Sequence, residues 1–171
     1  MTLAELNQLN QAQFADALGA IFEHSPWIPE QTWPQRPFES AASLHAALCA
    51  TMCSASRALQ LGLIRAHPQL HGKAALRGEL TEHSRYEQAG AGLAHCSPEE
   101  YALLHARNDA YQARFGFHFI LAVRGHTRQS ILEQMAARLH RGDDAEFVEA
   151  LRQISEIARF RLSDSIKQAT S

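Results

Sequence analysis

A hydroxyl, a carboxylate and a primary amide recur at helical spacing near the middle of this sequence. If residues 82–91 form a helix, Ser84, Glu87 and Gln88 fall at i, i+3 and i+4 and project from one face. The run Ala89-Gly90-Ala91-Gly92 follows, and its small side chains would let another element or a ligand approach the backbone closely. A polar cluster beside a run of small residues predicts a binding or catalytic site.

A histidine lies a short distance upstream of this cluster. His67 precedes Pro68, and a following proline disfavours helical geometry, so the imidazole is expected at a turn or a helix end. The chain holds ten histidines, and any one of them is more often a surface residue than a catalyst. His67 becomes a candidate because of its position just before the polar face.

An arginine falls on the apolar edge of the last predicted helix. Arg161 lies seven residues after Ile154 and three after Ala158, which places its permanent charge on an inward stripe. Such a charge needs an anionic or strongly polar partner. A structural ion pair with an internal carboxylate would satisfy it, and position alone favours that interpretation. A clamp for a substrate carboxylate or ureido carbonyl is the alternative.

The sequence lacks the motifs of the common metal, nucleophile and nucleotide sites. His67 and His71 are four residues apart, but neither a His-Glu-x-x-His motif nor a Cys-x-x-Cys pair accompanies them. No Gly-x-Ser-x-Gly elbow surrounds Ser84, and there is no phosphate-binding or dinucleotide-binding glycine loop. The residues alone indicate a cofactor-free acid/base site for a small, polar, anionic molecule.

Length and charge exclude several functional classes. A chain of 171 residues with a formal net charge of −2 is expected to form one domain over residues 1–171, without a basic surface for nucleic acid. Its apolar runs are too short to span a membrane, and residues 1–5 do not resemble a signal peptide. An odd number of cysteines, Cys49, Cys53 and Cys96, is typical of buried thiols in a reducing compartment, so a cytoplasmic location is expected.

Helical periodicity and capping signals dominate the chain, so we expect an all-α, single-domain bundle of six to eight helices. A first helix is predicted from the Thr2/Glu5 capping box and the apolar spacing through Phe22, and four prolines between Pro26 and Pro37 predict a loop anchored by Trp27 and Trp33. Further helices are predicted from Ser40 through Leu59, Glu82 to Ala91, Ser97 to Phe115, Thr127 to Leu139 and Asp143 or Asp144 through Leu162. The apolar stretch from Phe117 to Val123 has no helical period and is expected to be buried and extended or irregular.

Several motifs follow one another along almost the whole chain. They are Glu23-His24-Ser25-Pro26-Trp27, His67-Pro68-x-Leu70-x-Gly72-Lys73, Leu80-Thr81-x-x-Ser84-x-x-Glu87-Gln88-Ala89-Gly90-Ala91-Gly92-Leu93, Tyr111-x-x-Arg114-Phe115-Gly116-Phe117, Phe119-Ile120-x-Ala122-Val123-Arg124-Gly125 and Arg161-Leu162. In this order they resemble the OHCU decarboxylases of purine catabolism. Those enzymes convert 2-oxo-4-hydroxy-4-carboxy-5-ureidoimidazoline (OHCU) to (S)-allantoin.

The resemblance implies an all-α carboxy-lyase that is commonly a homodimer and uses neither a metal nor an organic cofactor. It makes His67 and Glu87 the catalytic residues. The substrate-binding residues it implies are Pro68, Ser84, Gln88, Phe119, Ile120, Leu121, Ala122, Val123 and Arg161. Two positions depart from the family pattern, because His118 stands where proline is usual and His71 where a small residue is usual.

Two alternatives remain beside this interpretation. One is a helical module that binds a small ureide or a partner protein without catalysis. The other is a metal-assisted amidohydrolase that uses His67, His71 and Glu87. The resemblance places the decarboxylase ahead of both.

Overall fold

The computed structural model describes residues 1–70, 80–93 and 96–166, and the regular elements in these ranges are helices. They comprise nine α-helices and one short 3-10 helix at Trp33–Gln35. The α-helices are α1 Leu3–Gln8, α2 Gln11–Leu18, α3 Trp27–Thr32, α4 Ala41–Ser54, α5 Arg57–Ala66, α6 Glu82–Gly90, α7 Pro98–Phe115, α8 Arg128–Arg138 and α9 Asp143–Ser165. The predicted all-α class is confirmed.

The chain divides into two compact units. The first contains residues 1–66 together with the chain from Ser155 onward, and the second contains residues 67–154. Helix α9 therefore contributes residues to both. The prediction of a single domain over residues 1–171 stays a prediction.

Most of the predicted helix ends are confirmed by their hydrogen bonds. Thr2 caps α1, Ser40 caps α4, Ser97 caps α7 and Thr127 caps α8, and in each case the cap side chain accepts from the backbone N–H three residues on. Helix α7 ends at Gly116, whose φ of 72° lies in the left-handed region that glycine enters without strain. Local capping signals therefore located these boundaries correctly.

The predicted first helix is wrong in its continuity, because the structure divides it into α1 and α2. Asn10 begins a second capping box: its side chain accepts from the N–H of Gln13 at 3.0 Å, and the Gln13 side chain accepts from the N–H of Asn10 at 3.3 Å. Helix α2 ends at Leu18, so Ile21 and Phe22 lie in turns although both are buried. Apolar spacing alone predicted one helix because the buried residues continue past the break.

The proline-rich segment contains a helix where a loop is predicted. Helix α3 accommodates Pro29 at its third position, where the backbone N–H has no partner inside the helix and proline is tolerated. The predicted anchoring by Trp33 is confirmed, since its indole N–H donates to the carbonyl of Leu9 at 3.0 Å. The same carbonyl accepts from Arg36 at 2.7 Å, which fixes the end of the segment to the junction between α1 and α2.

The predicted long helix from Ser40 is also divided, into α4 and α5. The buried side chain of Gln60 donates to the carbonyls of Met52 at 3.1 Å and Cys53 at 3.0 Å, which satisfies the last turn of α4. Within the described ranges no single helix is long and apolar enough to cross a membrane. Helices α4 and α5 meet that length and composition only as a pair, and they are bent by 117°.

The expectation of buried thiols is wrong for one cysteine. Cys53 is exposed, while Cys49 and Cys96 are half-buried. Sγ of Cys49 lies 3.3 Å from Nε2 of His45, and burial is the main reason that the pKa of the Cys49 thiol is raised. A raised pKa keeps this thiol protonated and unreactive near neutral pH.

The core of the second unit contains a buried ion pair. Arg138, from the last turn of α8, is 1% exposed, and it donates through Nε to Oε1 of the fully buried Glu146 of α9 at 2.8 Å. A second guanidinium nitrogen pairs with the same oxygen, and the Tyr111 hydroxyl donates to it from α7. Burial, together with this hydrogen bond, raises the pKa of Tyr111, so the phenol remains a neutral donor. Three helices of the unit meet at one carboxylate.

We expect Glu146→Leu to destabilise the protein strongly, because it leaves the buried charge of Arg138 without its carboxylate. Breaking one side of a buried pair costs about 3–5 kcal/mol. The free energy of unfolding is measured by urea denaturation followed by circular dichroism. Glu156→Gln is the control: it breaks the surface pair with Arg159 (N···O 2.9 Å), and a change within about 0.5 kcal/mol is expected there. Equal, small effects of the two substitutions would contradict the importance of the buried cluster.

Candidate active site

Helix α6 carries the predicted polar face. Thr81 caps it, accepting from the N–H of Ser84 at 3.3 Å, and the helix runs over nearly the predicted residues. Ser84 and Gln88, one helical turn apart, are both buried, and Glu87 beside them is half-buried. Tyr86 on the other side of the helix is 74% exposed. The prediction that Ser84, Glu87 and Gln88 share one face of the helix is consistent with this burial, and the shared face is the less exposed side.

The segment after α5 places His67 inside the protein. His67 is 4% exposed and lies in a bend, and Pro68 after it is outside any helix, as the proline predicts. Two side chains of the second unit fix the residues that follow. Gln88 donates to the carbonyl of Gln69 at 3.4 Å, and Asn108 of α7 donates to the carbonyl of Leu70 at 3.0 Å.

The hydrogen bond from Gln88 is the direct link between two parts of the predicted site. It joins the polar face of α6 to the non-helical segment that begins with His67. A buried imidazole, a hydroxyl and an amide thus occur in one compact unit with a half-buried carboxylate. These groups are able to transfer a proton and to orient a small polar molecule.

A third part of the predicted site is the non-helical stretch between α7 and α8. Its residues are all buried, as predicted, and they are Phe119, Ile120, Leu121, Ala122 and Val123. The carbonyl of Ile120 accepts from Arg138 at 2.7 Å, and the N–H of Ala122 donates to the side chain of Gln153 at 2.9 Å. The Arg138 guanidinium lies over the ring of Phe119, with its Cζ atom 4.5 Å from the ring centroid. Buried irregular backbone is thereby held by side chains rather than by a helix or sheet.

Arg161 lies on the C-terminal part of α9, which belongs to the first unit. It is 2% exposed, as its position on the inward stripe predicts. Its guanidinium donates to the Glu23 carboxylate at 3.1 Å and to the carbonyl of Ala20 at 3.1 Å. The ion pair anticipated as one of two alternatives is therefore present, and the role of clamp for a substrate stays a prediction.

The small-residue run lies at the end of α6. A Cβ built on Gly90 would meet nothing within 4 Å among the described residues, so no other described element packs closely against this glycine. Gly92 has a φ of 73°, and there the absence of a side chain is required by the backbone conformation. Its carbonyl accepts from Arg128 at 3.3 Å. The backbone turn after α6 thus accounts for the glycine at 92, and the approach of a ligand to this run stays a prediction.

Sequence reasoning missed the residues that hold the buried segment. Arg138 lies seven residues after Ile131 and three after Met135, both fully buried. This is the same inward position that drew attention to Arg161, and applying the criterion to α8 would have found Arg138. Gln153 carries no comparable signal, since its role depends on a partner far away in sequence.

One member of the metal-assisted alternative, His71, lies outside the described residues. Among residues 1–70, 80–93 and 96–166, no group of three or more metal-ligating His, Cys, Asp or Glu side chains occurs. The choice between this alternative and the others depends on the comparisons and the chemistry.

Comparison with known proteins agrees with the motifs in the sequence. The family model of the OHCU decarboxylases matches residues 7–163. The 2-oxo-4-hydroxy-4-carboxy-5-ureidoimidazoline decarboxylase of Halalkalicoccus jeotgali is 39% identical over 164 residues, covering 96% of this chain and 91% of that protein. The uric acid degradation bifunctional protein PucL of Bacillus subtilis is 42% identical over 167 residues, which are 98% of this chain and 33% of that longer protein.

Solved structures have the same fold. A crystal structure of (S)-allantoin synthase matches with a TM-score of 0.80 and 28% identity, over the whole of this chain and 56% of the other. An OHCU decarboxylase crystallised in the presence of (S)-allantoin matches with a TM-score of 0.71, and its 19% identity supports the fold alone. Because the family model and a relative of similar length both match almost the whole chain, this protein belongs to the OHCU decarboxylase family.

Proposed function

We propose that this protein decarboxylates OHCU to (S)-allantoin in urate degradation, as a carbon–carbon lyase. The observation that carries the proposal is the buried arrangement of His67, Ser84 and Gln88, with the hydrogen bond from Gln88 to Gln69 linking α6 to the histidine segment. Membership of the family supports the same reaction. A module that only binds a ureide does not require a buried imidazole at this position.

The substrate provides its own electron sink. Its carboxylate is attached to a ring carbon next to a ring C=N group. When the bond to the carboxyl carbon breaks and carbon dioxide leaves, the electron pair forms a double bond between the two ring carbons and shifts the C=N electrons onto nitrogen. For this reason the proposed reaction needs no pyridoxal phosphate or thiamine to stabilise a carbanion.

His67 is the proposed proton donor. A protonated imidazole donates to the ring as negative charge develops on it, and Glu87 binds the hydroxyl or ureido hydrogens and guides the proton to one face. The enol left by decarboxylation is protonated at the carbon that bears the ureido group, while its hydroxyl loses a proton and becomes the ring carbonyl. The face on which that carbon is protonated determines the configuration of allantoin. Ser84 and Gln88 orient the ring. Pro68 keeps the backbone at His67 out of helical geometry, so that the imidazole is directed into the site. In this scheme face-selective protonation is the main task of the enzyme, since OHCU also decays without it.

The backbone of residues 119–123 supplies further hydrogen-bonding groups for the ring, and Arg161 binds ring or ureido carbonyl oxygens. A planar guanidinium suits this task because it offers paired donors in a fixed geometry. We also propose a homodimer and a cytoplasmic location, which rest on the family resemblance and on the sequence composition. The ligands of the reaction are OHCU and (S)-allantoin, with no nucleic acid or membrane partner.

We expect His67→Asn to lower kcat for OHCU by about 10²–10⁴-fold, the usual contribution of a positioned general acid. The release of carbon dioxide is followed while OHCU is generated in place from urate. The exposed His140 provides a matched control, and His140→Asn should leave kcat unchanged. Both variants should keep the wild-type melting curve. Near-normal turnover by His67→Asn would show that this residue is not the acid.

We expect Arg161→Lys to raise the KM for OHCU by about tenfold, because one ammonium group cannot reproduce the paired donors of guanidinium. A positive charge remains beside Glu23, so the melting temperature should fall only slightly. Steady-state kinetics and a thermal melt are measured on the same preparation. The exposed Arg159→Lys is the control. A large loss of stability with an unchanged KM would assign Arg161 a purely structural role.

Addition of a chelator tests the metal-assisted alternative. The proposed reaction predicts that turnover of the purified protein is the same with and without EDTA, because no step requires a metal ion. Loss of activity with EDTA, restored by adding a divalent cation, would favour the amidohydrolase interpretation. Urate oxidation upstream is completed before the chelator is added, so that only this protein is tested.

A further inference from the structure

The backbone N–H and C=O groups of the segment from Phe119 to Val123 need hydrogen-bond partners inside the protein. Five consecutive residues are buried, yet no helix or sheet supplies partners for their polar groups. A buried N–H or C=O without a partner costs free energy comparable to a lost hydrogen bond. Side chains of α8 and α9 meet part of this demand, through Arg138 on the Ile120 carbonyl and Gln153 on the Ala122 N–H.

Arg138 reaches the segment from a fixed position. Its Nε and one terminal nitrogen pair with Glu146, which leaves Nη1 to donate to the Ile120 carbonyl at 2.7 Å. The guanidinium also lies over the Phe119 ring. A planar group held at two of its edges has little freedom to rotate, so the position of the Ile120 carbonyl is set by the buried ion pair.

The orientation of the Gln153 amide is set in the same way. Its Nε2 donates to Oε1 of Glu149 at 2.8 Å, so its oxygen faces the N–H of Ala122. Glu149 accepts in turn from Arg152 at 2.7 and 3.0 Å, and these hydrogen bonds lower the pKa of its carboxyl to about 2. The carboxylate therefore stays ionised at neutral pH and acts only as an acceptor, which excludes the flipped amide.

The two contacts bracket Leu121. The Ile120 carbonyl and the Ala122 N–H are both occupied by protein side chains. Between these two fixed groups lie the N–H and C=O of Leu121, which have no hydrogen-bond partner within residues 1–70, 80–93 and 96–166. An adjacent donor and acceptor on one residue match an N–H and a carbonyl in a ureide-type ring. The side-chain contacts thus hold the backbone on both sides of a donor and an acceptor that a ligand is able to use.

We infer that Arg138 and Gln153 are positioning residues, which fix the backbone of residues 119–123 so that the Leu121 N–H and C=O face the substrate ring. This inference rests on the proposed function, because it assigns the segment to substrate binding. Neither residue touches the reacting atoms. Their effect is exerted through the conformation of the segment, where a displacement of about 1 Å is enough to lower the rate strongly.

Gln153→Met tests the inference with little change in shape, since it removes the acceptor and leaves the Arg138–Glu146 pair intact. We expect kcat/KM for OHCU to fall by at least about tenfold, the scale of one lost hydrogen bond and a shifted ligand contact. The control is Ile131→Val, a buried substitution on α8 that is expected to lower the melting temperature while removing none of the hydrogen bonds that hold the segment. Assays are run at one temperature well below both melting temperatures, and the control should keep wild-type kcat/KM.

Gln153→Glu separates positioning from stability. It keeps an oxygen for the Ala122 N–H but places a second carboxylate next to Glu149, so it should be less stable than Gln153→Met. It should nevertheless retain the higher kcat/KM of the two. If activity follows melting temperature across Gln153→Met, Gln153→Glu and Ile131→Val, the role is structural only and the inference is wrong.

Amide hydrogen exchange tests the same inference without turnover. In Gln153→Met, and in Arg138→Lys if it folds, peptides that contain residues 119–123 should exchange at least about tenfold faster than in the wild type, as expected when a local hydrogen bond is lost. Unchanged exchange would overturn the inference whatever the activity. A wild-type protein that leaves OHCU decay unchanged would instead contradict the proposed function, and the exchange result would still decide whether these residues hold the segment.

Discussion

The buried charge of Arg138 imposes a constraint on the whole second unit, because a guanidinium inside a helical core needs a counter-charge and hydrogen-bond acceptors. Glu146 compensates the charge, and the Tyr111 hydroxyl adds a third member to the cluster. A further donor, Nη1, goes to a backbone carbonyl in the only long stretch of buried, non-helical backbone among the described residues of this unit. Helices α7, α8 and α9 are thereby joined at one point, and the same point fixes the segment between α7 and α8.

Such an arrangement suits the proposed recognition of a small heterocycle. A helix offers only side chains to a ligand along most of its length, because its backbone N–H and C=O groups are hydrogen-bonded to one another. An irregular buried segment offers backbone groups at fixed positions, with no side-chain rotamers to order on binding. In the proposed site, α6 supplies a hydroxyl, a carboxylate and an amide, the chain after α5 supplies an imidazole, and the segment supplies backbone donors and acceptors. The proton transfer and the recognition of the ring are then carried by different elements.

The sequence predicted those features that depend on neighbouring residues. Helix ends with a serine or threonine cap and a glycine stop were found correctly, and so was the inward position of Arg161. The divisions between α1 and α2 and between α4 and α5 were missed. Apolar spacing continues across both, and the second division is completed by the side chain of Gln60, which reaches back over the break. A pattern of hydrophobic residues does not reveal such a hydrogen bond.

The candidate site was predictable to the extent that it consists of motifs, and unpredictable where it depends on distant partners. His67, Glu87 and Gln88 follow from residue types and from the resemblance. The contacts of Arg138 with Ile120 and of Gln153 with Ala122 link residues 18 and 31 positions apart, and no local pattern marks them. The partner of Arg161 lies 138 positions away, so sequence could anticipate a carboxylate but could not name Glu23.

The stereochemical outcome of OHCU decay in the presence of the wild-type protein decides whether a buried proton donor acts on one face of the substrate ring. OHCU is generated in place from urate, and circular dichroism follows the allantoin that forms, with a sample lacking the protein as reference. We expect rapid and complete formation of the (S) enantiomer, because one buried donor delivers the proton to one face of the ring. A decay at the reference rate that yields racemic allantoin would contradict it.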